Sequence, residues 1–294
     1  MCGFPLIHLD RHLKTLVQHE RRFVAMCEEF PRYISPTVKE FDRRVNRVIT
    51  PGTLIDESFL NPLENNYLVA ISLSTLDDTK IPVGLAWIDV STGEFFSETC
   101  TLESLPDELA RLAPREIVLD NVFKTRGNHP FFKSLAEDCC AVSYTSSTHI
   151  ADPDKGENST MASSADSLTT RDLNKGRLTD PDSSVKQYIA NLSNHVYAGG
   201  LAPEETSAVN LLTLYLEETM LEHMPLLTSP SREGVQERMQ IDAHTIKGLE
   251  IRESVYDGGT KGSLLNVVKR TVTSGGTRLL ARWLCKFKNL DRSD

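Results

Sequence analysis

Between Asn66 and Tyr144 the chain alternates short apolar runs with amphipathic stretches, and that order constrains the fold more than any other feature. Asn66–Leu73, with Tyr67-Leu68-Val69-Ala70-Ile71 at its centre, reads as a buried strand, Val83–Val90 as a second and Glu94–Cys100 as a third. Ser91-Thr92-Gly93-Glu94 joins the last two as a tight hairpin. A short helix over Pro106–Leu112, a strand over Glu116–Leu119, a helix over His129–Glu137 and a strand over Ala141–Tyr144 follow. Alternation of this kind calls for a layered α/β domain, because each strand must be covered on both faces.

That order fits a ribonuclease-H-like fold without singling it out. The flanks differ in character. On the N-terminal side, Leu9, Leu13, Leu16 and Val17 predict an amphipathic helix from His8 to about His19. A strand over Arg22–Cys27, a breaker-rich loop over Glu28–Pro36 and a strand over Arg43–Ile49, ended by Thr50-Pro51-Gly52, complete an α+β segment. Residues 151–184 are rich in Ser, Thr, Asp, Asn and Gly and nearly empty of large apolar side chains. Such a stretch does not bury enough surface to offset its ordering entropy, so a mobile insertion is expected there.

Helical patterns dominate afterwards. Val209–Met224 carries Leu211, Leu212, Leu214, Tyr215, Leu216 and Met220. Asp242 is placed to cap a helix through Ile246 and Leu249, and Leu264–Val268 begins another. In the last helix Leu279, Leu280, Trp283 and Leu284 are read as one face, with Arg278 and Arg282 opposite. The apolar face is expected to be exposed in the isolated chain and to drive association.

A net charge of −9 over 294 residues argues against a chain that is basic throughout, but local fields decide nucleic-acid binding. Arg43, Arg44 and Arg47 cluster near the start, and Lys269, Arg270, Arg278, Arg282, Lys286 and Lys288 near the end. No cysteine pair has zinc spacing, and adjacent Cys139 and Cys140 have poor disulfide geometry, which fits reduced thiols and an intracellular location. No apolar run is long enough to span a bilayer, and Met1-Cys-Gly-Phe-Pro-Leu lacks the pattern of a secretory signal.

Three blocks, in order, carry a family resemblance. The first is Gly3-Phe4-Pro5 with Asp10, Leu13, Leu16-Val17 and Val24-Ala25-Met26-Cys27-Glu28. The second runs from Thr50-Pro51-Gly52-Thr53 through Asn65-Asn66-Tyr67-Leu68-Val69-Ala70-Ile71 to Gly84-Leu85-Ala86-Trp87-Ile88-Asp89-Val90-Ser91-Thr92-Gly93-Glu94-Phe95. The third comprises Met239-Gln240-Ile241-Asp242-Ala243, Leu249-Glu250-Ile251, Gly262-Ser263-Leu264-Leu265 and Thr271 through Leu284. Together they resemble the MutS family of DNA mismatch-repair proteins. At Leu6 and Ile7 the chain departs from the family, which has an aromatic and a histidine there.

The resemblance implies the end of a mismatch-binding domain over 1–46, a ribonuclease-H-like connector over 47–205 and the start of an all-α core or lever domain over 206–294. It implies a partner, mismatched double-stranded DNA, and a dimeric intact protein, with no membrane association. It also implies a fragment. The family's mismatch-reading Phe-x-Glu motif would precede residue 1, and ATP and Mg would belong to an ATPase domain outside this chain. The style of the connector suggests an organellar eukaryotic member, so mitochondrial localisation is favoured over nuclear. An alternative is a stand-alone protein-interaction module built on the connector sheet.

Candidate functional residues follow. Arg43 and Arg44 lie on the edge that the resemblance sets beside duplex backbone, where phosphate contacts would position without reading sequence. His8, His12 and His19 share a helical flank but lack a completing zinc ligand and are read as a surface face. Asp89, Glu94 and Asp120 near strand ends would suit a two-metal nuclease only with an acid in the central strand, and Tyr67–Ile71 has none. Phe96-Ser97-Glu98 matches the mismatch motif in letters only. Gly258–Ser263 lacks the Gly before Lys261 and the preceding strand that a phosphate loop needs, and is read as an inter-helix loop.

Overall fold

The computed structural model describes residues 3–35, 38–56, 59–74, 80–126, 140–146, 200–233, 239, 241–256 and 258–286. The expected helix at His129–Glu137 and the expected insertion at 151–184 lie outside them.

The first module is a helix on a two-stranded ribbon. Helix α1 (Leu9–Lys14) continues into a π-turn over Thr15–His19. Strands β1 (Val24–Ser35) and β2 (Val38–Ile49) pair antiparallel along their whole length. The loop expected at Glu28–Pro36 is therefore strand as far as Ser35. Pro31 is tolerated because each strand of a two-stranded ribbon has an unpaired edge. The base of the ribbon closes an apolar cluster of Leu13, Val17, Ile49, Leu54 and Phe59, with Leu9, Val24, Met26 and Leu60 around it. Leu54, Phe59 and Leu60 belong to the segment leaving the ribbon, so the junction itself packs into the first module.

The second module is a six-stranded mixed sheet in the order β7-β6-β3-β4-β5-β8. Its strands are β3 (Tyr67–Ser72), β4 (Pro82–Asp89), β5 (Glu94–Thr101), β6 (Glu116–Asp120), β7 (Ala141–Thr145) and β8 (Ser231–Arg232). The pairs β3–β4 and β4–β5 are antiparallel, whereas β3–β6, β6–β7 and β5–β8 are parallel. The expected hairpin closes through Thr92 and Gly93 amides donating to the Asp89 carbonyl, with Gly93 at φ +75°. The short β8 carries too little sequence to be seen as a strand in advance.

Strand alternation divides the core into two layers. Tyr67, Val69, Ile71, Val83, Leu85, Trp87, Ile117 and Leu119 meet helix α2 (Leu105–Leu112) on one face. Leu68, Ala70, Ala86, Ile88 and Val118 meet helix α3 (Pro203–Met220) on the other. Helix α3 begins six residues before the expected Val209, with Pro203 in its first turn. No polar residue stands at Ala202 to announce that start. Instead Glu205, fully buried, reaches back to the Ala202 amide at 3.3 Å. The boundary expected at residue 205 thus falls inside a helix that packs on the sheet. Gly84 makes this crossing possible: a Cβ there would lie 1.9 Å from the Glu204 carbonyl oxygen.

Beyond residue 241 the described elements are short helices: α4 (Ala243–Gly248), α5 (Leu264–Val268) and α6 (Ser274–Leu284). Side-chain oxygens cap all of them, from Asp242, Ser263 and Thr273 respectively. Ile246, Ile251 and Cys285 form a small buried cluster that meets Ala110 of α2.

Candidate nucleic-acid interface and module junctions

On the ribbon, Arg43 stands directly opposite Glu29. Its Nη2 and Nε donate to Glu29 Oε1 at 2.6 and 2.9 Å, and both side chains are at least half exposed. The hydrogen bond and the charge of Glu29 push the guanidinium pKa up, so Arg43 is charged at any working pH. Arg44 points to the other face, because neighbouring strand residues alternate. There it lies 3.5 Å from Asp42 Oδ2 and 5.7 Å from the centre of the Phe30 ring. The two candidate arginines are therefore both exposed but do not share a face.

The Thr50–Thr53 turn plugs the first module into the sheet. The Thr50 amide donates to Thr53 Oγ1 at 3.0 Å, which closes the turn. The Gly52 amide donates to Glu116 Oε2 at 2.7 Å, and the Asn66 side-chain amide donates to the Pro51 carbonyl at 3.1 Å. Glu116 opens β6 and is fully buried. Hydroxyls of Tyr215 and Ser143 donate to its other oxygen. Among the described residues this carboxylate is held by hydrogen bonds rather than by a cation, which is how a buried acid is satisfied without an ion pair. Burial and the neighbouring Glu116 carboxylate push the Tyr215 phenol far above its ordinary pKa. Gly52 is required by space, since a Cβ would meet Leu68 Cδ1 at 2.7 Å and Glu116 Cβ at 2.9 Å.

A second ionic centre lies on the α2 side. Arg111 donates to Glu108 at 2.7 Å, Glu98 at 3.1 Å and Glu233 at 3.2 Å, all three carboxylates being buried or nearly so. Its Cζ also lies 5.6 Å from the Trp87 ring centre. The Arg111 carbonyl accepts from Arg252, and Asp107 Oδ1 accepts the Ala243 amide at 2.8 Å. Helix α2 thus touches both the sheet and the helices that follow.

Other sequence candidates resolve into structural roles. Asp89 Oδ2 accepts the Asn66 amide at 3.0 Å and its Oδ1 accepts the Ser91 amide and hydroxyl at 3.0 and 2.6 Å. Asp89 pairs with Glu94 at one end of the sheet, while Asp120 ends β6 near the opposite end, where its Oδ1 accepts the Val122 amide. Phe96 stacks on Trp87 at 5.7 Å, and Glu98 is the buried partner of Arg111, so Phe96-Ser97-Glu98 is sheet core. His8, His12 and His19 are exposed, and His12 lies against the Phe4 ring at 4.6 Å. Among the described residues no three His, Cys, Asp or Glu side chains come together to hold a metal, and no helix is long and apolar enough to cross a membrane.

The Gly258–Ser263 segment lies between α4 and α5. Ser263 Oγ is engaged as the α5 cap, accepting the Asn266 amide at 3.2 Å and donating to the Thr260 carbonyl at 2.7 Å. In α6 the expected faces are rearranged. Thr277 and Cys285 are buried and Leu284 packs on the small cluster, whereas Leu279 and Trp283 are exposed at 37% and 59%. Of the arginines expected to face away, Arg282 is turned to the sheet, its Nη1 3.7 Å from Glu94 Oε2, and Arg278 Nη1 donates to the Pro62 carbonyl at 3.2 Å.

Sequence reasoning missed Glu116, Arg111 and Glu205. Each had a faint signal, an acid or base within an otherwise apolar strand or amphipathic helix, but its partner is distant in sequence.

Comparison with known proteins is consistent along the whole chain. The family descriptions MutS domain I, MutS domain II and MutS domain III match residues 1–58, 66–228 and 244–286 in that order. A protein named DNA mismatch repair protein MutS from Dinoroseobacter shibae is 36% identical over 291 residues, covering 97% of this chain and 28% of that relative. Proteins of the same name from Rhodopseudomonas palustris and Bradyrhizobium sp. are 34% and 30% identical, again over 97% of this chain and 28% of theirs. The chain spans under a third of the length of these curated relatives. With domains I, II and III matched in order, the chain belongs to the MutS family.

Proposed function

We propose that this chain forms the DNA-contacting arm, the connector and the first part of the lever of a mismatch-repair protein that binds mismatched duplex DNA. The observation that carries this reading is the order of the modules, ribbon, mixed sheet and helices, joined at Thr50–Thr53 and at α2 in a chain of MutS lineage. The sheet order, with two antiparallel pairings followed by parallel additions, supports a ribonuclease-H-like connector. The packing of α3 on that sheet favours a division between connector and lever after α3 rather than before it.

In this reading Arg43 contacts phosphate and positions the duplex without reading bases. Glu29 holds its guanidinium until a phosphate competes for it. Arg44, on the other ribbon face, would meet a different part of the backbone. The intact protein works as a dimer, and ATP with Mg binds in a domain other than the ones described. This chain's residues supply leverage, not covalent chemistry. Mitochondrial localisation remains our proposal, on the style of the connector alone.

Complementation tests the reading. Residues 1–294 replace the matching stretch of the Dinoroseobacter shibae relative in a host lacking its own copy. The chimaera lowers the spontaneous mutation rate if the chain performs the arm and connector roles. A soluble chimaera that leaves the rate at the level of the deletion contradicts it.

A further inference from the structure

Phe41 is an apolar ring in a run of charges. The sequence around it is Lys39-Glu40-Phe41-Asp42-Arg43-Arg44, and the ring is 55% exposed on β2. Side chains alternate along a strand, so Phe41 shares a face with Arg43, about 7 Å away along β2. Across the ribbon Phe41 stands opposite Pro31, Arg43 opposite Glu29 and Val45 opposite Cys27. Pro31 and Cys27 are exposed and Val45 is partly buried. On this face, then, a single ion pair is flanked on both sides by apolar pairs.

The two faces of the ribbon are not equivalent. Helix α1 packs on the side of Val24 and Met26, and the register continues that side through Glu28 and Phe30 to Arg44 and Asp42. Among the described side chains that face sets two acids, Glu28 and Asp42, against Arg44. The Arg43 face has Glu29 alone, already matched by Arg43. A polyanion is repelled less by the second face than by the first, and the second lies on the side away from α1.

We infer that Phe41 is the apolar half of the duplex contact: its ring packs against the deoxyribose next to the phosphate that Arg43 holds. This rests on the reading of the ribbon as a DNA-contacting arm and names a further positioning residue on it. The phosphate draws the guanidinium from Glu29, while the ring covers C–H surface of a sugar that every nucleotide carries. The contact sets how closely the ribbon lies on the backbone and does not read bases. It adds affinity without releasing counterions, so it persists when salt weakens the Arg43 contact.

The chimaera with the Dinoroseobacter shibae relative tests this on a matched duplex and on the same duplex with one mismatch, across a salt series. Phe41→Ala weakens binding to both duplexes roughly three- to ten-fold, the loss of a partly covered aromatic ring, and leaves the slope of log affinity against log salt unchanged. Phe41→Leu keeps most of the affinity. Arg43→Ala, by contrast, lowers the slope. With p-benzoylphenylalanine in place of Phe41, irradiation crosslinks the protein to the duplex, which decides the matter if Phe41→Ala does not fold. A folded Phe41→Ala with wild-type affinity, a Phe41→Ala slope that falls, or no crosslink from position 41 overturns the role of Phe41, even where Arg43→Ala behaves as expected. A folded wild-type chimaera that binds neither duplex overturns the arm reading and this inference with it.

Discussion

The Gly52 amide donates to Glu116 Oε2 at 2.7 Å, and this bond ties the first module to the second. It joins a turn with no room for a side chain at Gly52 to a carboxylate that, among the described residues, has no cation beside it. The acid is stable there because Gly52, Ser143 and Tyr215 supply its donors.

Replacing Glu116 by Gln substitutes an amide N–H₂ for one acceptor oxygen and sets donor against donor. A loss of about 1–3 kcal/mol in unfolding free energy is expected, the usual penalty for stranded buried polar groups. Urea denaturation monitored through buried Trp87 measures it. A Glu116→Gln chain of wild-type stability contradicts the role given to this residue.

Tyr215 makes the same site sensitive to alkali. Its phenol pKa is raised in the folded chain by burial and then by the Glu116 charge. The unfolded chain gives up the proton near pH ~10, whereas the native one keeps it, so stability is full below that pH and falls as pH rises beyond it. Tyr215→Phe loses part of this decline, although Tyr67 and Tyr144 are shifted the same way and leave a remainder. Unfolding midpoints from pH 8 to 11 for wild type and variant provide the check.

Helix α3 crosses β4 at Gly84 with the Glu204 carbonyl where a side chain would stand. Gly84→Ala forces backbone apart and is expected to destabilise by about 1–3 kcal/mol or more. Hydrogen exchange locates the effect: amides of α3 and β4 lose protection first, while the ribbon keeps its own.

Much of the second module was legible because strand periodicity and hairpin chemistry are local. Tyr67–Ile71 and Val83–Val90 are apolar on both faces, and Asp89-Val90-Ser91-Thr92-Gly93 specifies a turn by its own side chains. The length of β1 was not legible, since Pro31 reads as a breaker unless the strand is known to have a free edge. The start of α3 was hidden for a similar reason, because its cap is Glu205 acting from inside the helix. Arg43 and Arg44 were visible as charges, but only pairing register separates them onto two faces. The orientation of α6 was lost because its more covered side, Thr277, Ala281 and Leu284 with Cys285 just past its end, is less apolar than the Leu279–Trp283 edge left exposed.

Asp242 supplies a local pH probe in the third module. Hydrogen bonds from the Thr245 hydroxyl and backbone amide hold its carboxyl below the ordinary aspartate value. A depressed acid contributes above its unfolded pKa and loses that contribution as pH falls through the folded one. The Thr245 amide is therefore expected to gain exchange and shift its NMR signal below about pH 4, with Asp242→Ala showing the low-pH behaviour throughout.

The most direct test of the central claim, that this chain grips and levers mismatched duplex, is equilibrium binding of the chimaera to matched and mismatched duplexes across a salt series. The account predicts tighter binding to the mismatched duplex. Arg43→Ala should weaken both duplexes equally and reduce the slope of log affinity against log salt by about one. A folded chimaera with no preference for mismatched DNA, or an Arg43→Ala slope unchanged from wild type, would contradict it.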